Sequence, residues 1–384
     1  MSQLSAERTI AAAEQMTQLS DWGDPEGGFR EGLERLYAAI MAESGIAPDH
    51  YAKIEGGLAF VLGNRLKIVE DRKRFPAIAD ETIEKPVFVM GMPRSGTTLL
   101  QALLTAPPAA RGTLHWELLN PSPPPETATY ETDPRIATAE QQVAGMSKDL
   151  LRIHPFDALL PEECGRLFDM EVMNQGTFGT YHVPSYLHWL LAHDFRHAYT
   201  WHKKCLQHFQ HRHKGGHWVC KSNKHMFTME RLFETYPDLR LVWIHRDPAT
   251  TMASLSSFIY NIRQNLRPDT DPHALGREWA SLQELALQRA MLFRERLPDQ
   301  GQICDVHYDD LMADPLREIT RIYRHFGMDF DEASRDAVAG WLAANPQDKH
   351  GRHAYTPGMF GLDAQVLRER FAPYIERFDV RIPA

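Results

Sequence analysis

The sequence predicts an α/β protein: a central parallel sheet flanked by helices in three layers, with an N-terminal helical segment and an inserted helical segment added to it. Two observations carry this. Four short apolar runs, each bounded by turn residues, recur along the chain with helical stretches between them, as expected for strands buried on both faces. The first of these runs feeds a glycine-rich loop that opens directly into a helix.

Residues 1–82 read as an accessory helical segment, with residues 83–384 as the main domain. Phe29, Leu33, Leu36, Tyr37 and Ile40 fall at helical spacing. The turn-like run from Asp21 to Gly28 interrupts them, and a second helix is expected from about Pro48 to Asp71. The first strand is Pro86-Val87-Phe88-Val89-Met90, followed by a helix through Thr98 to Leu104. Further strands are expected at His217–Cys220, Leu239–Ile244 and Ile303–Val306. Residues 119–215 open on a proline-rich turn and are dense in aromatics and histidines, among them Phe168, Tyr186, Trp189 and Trp201. They read either as a helical lid over an acceptor pocket or as plain packing on the sheet.

Composition bounds the function. The 384 residues are 43% hydrophobic and 24% charged, enough for a full core. A net charge of -9 argues against a broad nucleic-acid surface but leaves room for a small basic pocket. The four cysteines form no CxxC pair and read as reduced, buried thiols of a cytoplasmic protein. The first residues lack the pattern of a signal peptide. No apolar run reaches the roughly 18 residues of a spanning helix, which leaves only peripheral membrane contact open.

The loop Gly91-Met92-Pro93-Arg94-Ser95-Gly96-Thr97-Thr98 carries the chemistry. A strand, a glycine-rich loop and a helix N-terminus aim backbone N–H groups and the helix dipole at an anion. The spacing matches GxxxxGK[ST], except that Thr97 stands where the lysine belongs. The cation sits inside the loop as Arg94, which suits a 5′-phosphate bearing a leaving group and held without a metal. The loop resembles the 5′-phosphosulfate-binding loop of the sulfotransferase superfamily, in the arginine version of the tyrosylprotein sulfotransferases and the bacterial group related to them. That resemblance implies a P-loop-like fold, the donor 3′-phosphoadenosine 5′-phosphosulfate, and contacts to it from Arg94, Ser95, Gly96, Thr97 and Thr98.

Such a donor also needs a grip on its 3′-phosphate. Arg246 ends the third expected strand and Ser254 follows eight residues later, an arginine and a serine suited to a phosphate. The pair resembles the family's 3′-phosphate motif. Its tyrosylprotein members have another arginine where this chain has Phe258, and Arg352, in the basic loop Lys349–His353, is the candidate replacement. The resemblance points to Glu117 as general base, with His115 and His154 as rivals. It also points to Lys221, at a strand end, as the cation that meets developing charge, a task Arg94 shares. The adjacent Glu162 and Glu163 are not expected to form an acid/base pair. Histidines cluster at 208, 211, 213 and 217, where the stretch His211-Arg212-His213-Lys214 reads as a solvated basic turn rather than a metal site, and no metal is expected.

The expected reaction is transfer of a sulfuryl group to a hydroxylated acceptor, either a small molecule or a lipid-like one. Its rivals are an ATP-dependent kinase, disfavoured by the missing lysine, and a nucleotide-binding protein without catalysis.

Overall fold

The computed structural model describes residues 3–23, 28–146, 156–346 and 356–383. Five strands form one sheet: β1 (Val87–Gly91), β2 (Ala110–Gly112), β3 (His217–Lys221), β4 (Arg240–His245) and β5 (Ile303–His307). Their order is β2-β3-β1-β4-β5, and every pairing is parallel. Four of the five lie where the apolar runs place them. The exception, β2, has three residues centred on Arg111 and no apolar run to announce it.

Alternation of side chains along each strand gives the sheet two dry faces. Val87, Val89, Val219, Val242, Ile244 and Val306 pack against Leu100, Leu103, Ile319, Ile322 and Val338. Phe88, Met90, Trp218, Cys220 and Trp243 point the other way. They join a larger cluster with Leu167, Phe168, Tyr199, Leu206 and Trp279, and with Phe29, Leu33, Leu62 and Leu66 of the N-terminal helices Gly28–Glu43 and Tyr51–Arg74. The N-terminal layer therefore closes the same core as the sheet.

A buried ion pair fixes that layer. Arg65 of the Tyr51–Arg74 helix meets Glu171, and both side chains are all but inaccessible, at 2% and 0% exposure. Arg65 also lies 4.2 Å over the Trp201 ring, and His197 Nδ1 reaches Glu171 at 2.7 Å. The segment 119–215 is helical where it is described, in Pro134–Ala144, Gly176–Tyr181, Pro184–Ala192 and Arg196–Gln210. Of the histidine group, His208 is buried and bonded to the Pro121 carbonyl, while His213 stacks on Tyr130. In the stretch 211–214 the cations Arg212 and Lys214 are exposed, as expected of a solvated basic turn, while His211 and His213 are half-buried.

Because all strands run one way, the C-terminal ends of β1, β3, β4 and β5 emerge at a single edge. Open α/β sheets bind ligands at that edge. There it carries the loop after Gly91, Lys221, Arg246 and Tyr308.

Candidate active site

The loop between β1 and the Thr97–Thr105 helix turns through two left-handed residues, Arg94 (φ 71) and Gly96 (φ 100). Glycine is required at the second. A Cβ there would come within 2.8 Å of the Tyr308 ring, in a conformation that side-chain-bearing residues avoid. The Ser95 N–H closes the turn on the Met92 carbonyl at 3.1 Å. The Ser95 hydroxyl is buried and has no hydrogen-bond partner among the described residues. Buried hydroxyls normally find one, so this group fits a loop built to receive an anion.

The second clamp meets the first directly. Arg94 Nε donates to Ser254 Oγ at 3.1 Å, and Arg246 Nη1 donates to the Arg94 carbonyl at 3.0 Å. The Arg246 guanidinium lies 3.7 Å over the Tyr308 ring, the same ring that backs Gly96. The end of β4 is stiff: His245 Nε2 lies 2.8 Å from Asp305, Arg294 grips that carboxylate with two bonds of 2.6 Å, and Phe378 stacks on the imidazole. Asp247 caps the Pro248–Gln264 helix and pairs with Arg368 at 3.1 Å. Burial alone would raise its carboxyl pKa, but Arg368 and Thr250 hold it below the usual range. Arg246 thus has its own partners and leaves Asp247 to Arg368. Phe258 stands 5.8 Å from the Arg94 guanidinium, and Arg352 and His154 lie outside the described residues.

Lys221 ends β3 next to Val89 of β1. Its Nζ lies 2.8 Å from Glu163 Oε1, and Lys224 Nζ lies 3.1 Å from Glu163 Oε2. Lys221 is 2% exposed, whereas Glu163 keeps 19% of its side chain open. Burial pushes the Glu163 carboxyl up, and the two lysines outweigh it and hold the group far below the ordinary range. Gly165 permits this approach, since a Cβ there would sit 2.4 Å from Ser222 Oγ.

Glu117 occupies a different place. It has no exposed surface; Oε1 accepts from Arg111 Nη2 at 2.7 Å and Oε2 from the Leu114 N–H at 2.9 Å. Arg111 also donates from Nη1 to Tyr130 Oη and from Nη2 to the Phe209 carbonyl. A base must reach the acceptor's hydroxyl, and Glu117 faces inward with both oxygens engaged. Glu117, expected as the general base, therefore turns away from the acceptor side: it holds β2 and the short His115–Leu119 helix together. His115 is also buried, beside Gln142 at 3.2 Å, and burial lowers its pKa. The carboxylate that faces the strand-end lysine and keeps some contact with solvent is Glu163. Sequence spacing missed it because Glu163 and Lys221 are 58 residues apart; its one local mark is the glycine two positions on.

Comparison with known proteins agrees with this architecture. Residues 86–332 match the model of the sulfotransferase family. The chain is 26% identical over 349 residues to the omega-hydroxy-beta-dihydromenaquinone-9 sulfotransferase Stf3 of Mycobacterium bovis, covering 86% of this chain and 84% of that protein. The crystal structure of sulfotransferase STF9 from Mycobacterium avium superposes with a TM-score of 0.90 at 28% identity, over 98% of this chain and 97% of the other. Sulfotransferase STF1 from Mycobacterium tuberculosis H37Rv gives 0.85 at 30% identity, over 96% and 98%.

Proposed function

We propose, from the premise that the chain belongs to the sulfotransferase family, that it transfers a sulfuryl group from 3′-phosphoadenosine 5′-phosphosulfate to the hydroxyl of a lipid-like acceptor. The observation that carries the donor is the joining of two anion clamps, Arg94 to Ser254 and Arg246 to Arg94, at one sheet edge. One phosphate would not need two arginine clamps; a donor phosphorylated at both ends of its ribose does. The unpartnered Ser95 hydroxyl and the N–H groups of Gly96, Thr97 and Thr98 suit the 5′ end, and Arg246 with Ser254 suits the 3′ end. Arg352 remains a candidate third ligand there.

In this reading Lys221 and Glu163 flank the transferring group. The acceptor oxygen attacks sulfur in line with the bond to the 5′-phosphate. The new S–O bond forms as the old one breaks, adenosine 3′,5′-bisphosphate leaves, and the acceptor's proton passes to the Glu163 carboxylate. Without donor, Glu163 serves as counterion to Lys221 and Lys224. With donor bound, the sulfuryl oxygens compete for Lys221, which with Arg94 meets the developing charge and leaves Glu163 freer to accept a proton. The partial solvent access of Glu163 and its contact with Lys221 support it over the fully buried Glu117 in this role.

Residues 83–384 act as the transfer domain, the helices of 119–215 cover the acceptor side, and residues 1–82 form the accessory layer. Lipid-like acceptors are favoured by the likeness to a sulfotransferase named for a hydroxylated menaquinone. No helix among the described residues is long and apolar enough to cross a membrane. The test is thermal stability with adenosine 3′,5′-bisphosphate against ADP with Mg²⁺. The reading expects the bisphosphate to raise the melting temperature in the presence of chelator; stabilisation by the ADP–Mg²⁺ complex alone would refute it.

A further inference from the structure

Behind the Glu163–Lys221 pair, the fold gathers side chains that the proposed reaction does not use. One sulfur or nitrogen atom from each of Cys164, His202 and Cys220 lies within 4.8 Å of the other two, and all three residues are fully buried. They come from three separate elements: the start of the 3-10 helix Cys164–Glu171, the middle of the Arg196–Gln210 helix, and β3. A fourth, His225, is equally buried and puts Nε2 3.4 Å from Cys164 Sγ. Phe88 and Phe168 wall the group off.

The two imidazoles are oriented alike. His202 Nδ1 is 2.7 Å from Tyr236 Oη, and His225 Nδ1 is 2.7 Å from Tyr199 Oη, which also contacts Thr228 Oγ1 at 2.9 Å. Each ring therefore has Nδ1 occupied, with Nε2 left for the sulfurs. His202 Nε2 is buried and has no hydrogen-bond partner among the described residues. An orphaned imidazole nitrogen in a dry core is unfavourable unless something binds it.

We infer that Cys164, His202 and Cys220, whose ligand atoms stand within 4.8 Å of one another, form the core of a structural zinc site, with His225, which touches Cys164 from outside that group, swinging in as the fourth ligand. Two thiolates and two imidazoles are a donor set that selects Zn²⁺ in tetrahedral geometry. With bonds of about 2.3 Å to sulfur and 2.0–2.1 Å to nitrogen, tetrahedral ligand atoms stand roughly 3.3–3.8 Å apart. The Cys164–His225 contact already has that length. Two thiolates cancel the charge of Zn²⁺, so the filled site is neutral, as burial among aromatic rings requires. The tyrosines serve as outer partners that fix which nitrogen binds metal.

The position of the site gives it a consequence for the reaction, and this part rests on the role proposed for Glu163 and Lys221. Cys164 follows Glu163, Cys220 precedes Lys221, and His225 follows Lys224. One ion bound by these residues would fasten together the three backbone segments that present the carboxylate and its two lysines. The ligands are spread over 62 residues with no short metal-binding spacing between them, so no motif announces the site.

The test is elemental analysis of the full chain, purified without chelator. The inference expects close to one zinc per chain. Growth on cobalt in place of zinc should give a coloured protein with the thiolate charge-transfer and ligand-field bands of tetrahedral Co²⁺. Tyr236→Phe, which leaves every ligand in place, should weaken zinc binding by roughly 10- to 100-fold in a chelator competition. Cys220→Ser confounds metal loss with misfolding, so the wild-type measurement decides. Wild-type protein without stoichiometric metal and without a cobalt spectrum overturns the inference and leaves a hydrogen-bonded thiol–imidazole cluster. Zinc present with no affinity for adenosine 3′,5′-bisphosphate would instead overturn the proposed donor and leave the metal site standing.

Discussion

Replacing Arg246 by alanine separates the two clamps. The side chain does two things: it offers a guanidinium at the end of β4, and it donates to the Arg94 carbonyl at 3.0 Å while resting 3.7 Å over Tyr308. If it binds the 3′-phosphate, its loss removes a charge-assisted hydrogen bond, about 1.5–3 kcal/mol. That is roughly a 10- to 150-fold rise in the dissociation constant of adenosine 3′,5′-bisphosphate. Adenosine 5′-phosphate lacks the 3′ group and reports only on the loop. Its affinity should change little, by no more than the loss of support to Arg94, whose φ of 71 already carries strain. Titration calorimetry of both ligands against wild type and Arg246→Ala gives the comparison. Equal weakening of the two would refute the 3′-phosphate assignment, because it would mean that Arg246 acts only by holding the loop. Unchanged affinity for both would refute the two-clamp geometry altogether.

Two further variants test the frame that positions the site. Gly96→Ala puts a Cβ 2.8 Å from the Tyr308 ring at a φ of 100; it should cost about 1–3 kcal/mol in denaturant unfolding and abolish detectable bisphosphate binding. Binding at wild-type strength would mean that the loop conformation is not the binding one. Glu171→Gln strands the Arg65 charge beneath the N-terminal layer and should lower stability by about 3–5 kcal/mol, read from urea midpoints at constant slope. A loss under about 1 kcal/mol would mean that the layer is loosely attached.

The sequence was most informative where structure is local. Apolar runs located β1, β3, β4 and β5 because strands buried on both faces have no polar side to disguise them. The loop was legible because its glycines and arginine act within eight residues. Arg246 and Lys221 followed, since each needed only a strand end to place it. What failed was long-range. Glu117 sits near the loop in sequence, yet its carboxylate turns inward to Arg111 on β2, a strand without an apolar run that is held in the sheet by pairing with the distant β3. Glu163 has no motif and gains its position from the close packing allowed by Gly165 against Ser222. Cys164, His202 and Cys220 lie far apart in sequence, and only the fold brings their ligand atoms within 4.8 Å of one another.

Transfer of labelled sulfate from the donor to a panel of hydroxylated lipids, compared between Glu163→Gln and Glu117→Gln, tests the central claim most directly. Glu163→Gln should keep its affinity for adenosine 3′,5′-bisphosphate and lose about 10²- to 10⁴-fold in turnover, the range for a lost general base. Glu117→Gln leaves Arg111 charged and uncompensated in the core; it should lose stability while its folded fraction turns over at the wild-type rate. Wild-type turnover in Glu163→Gln, or a well-folded, donor-binding and inactive Glu117→Gln, would contradict the account.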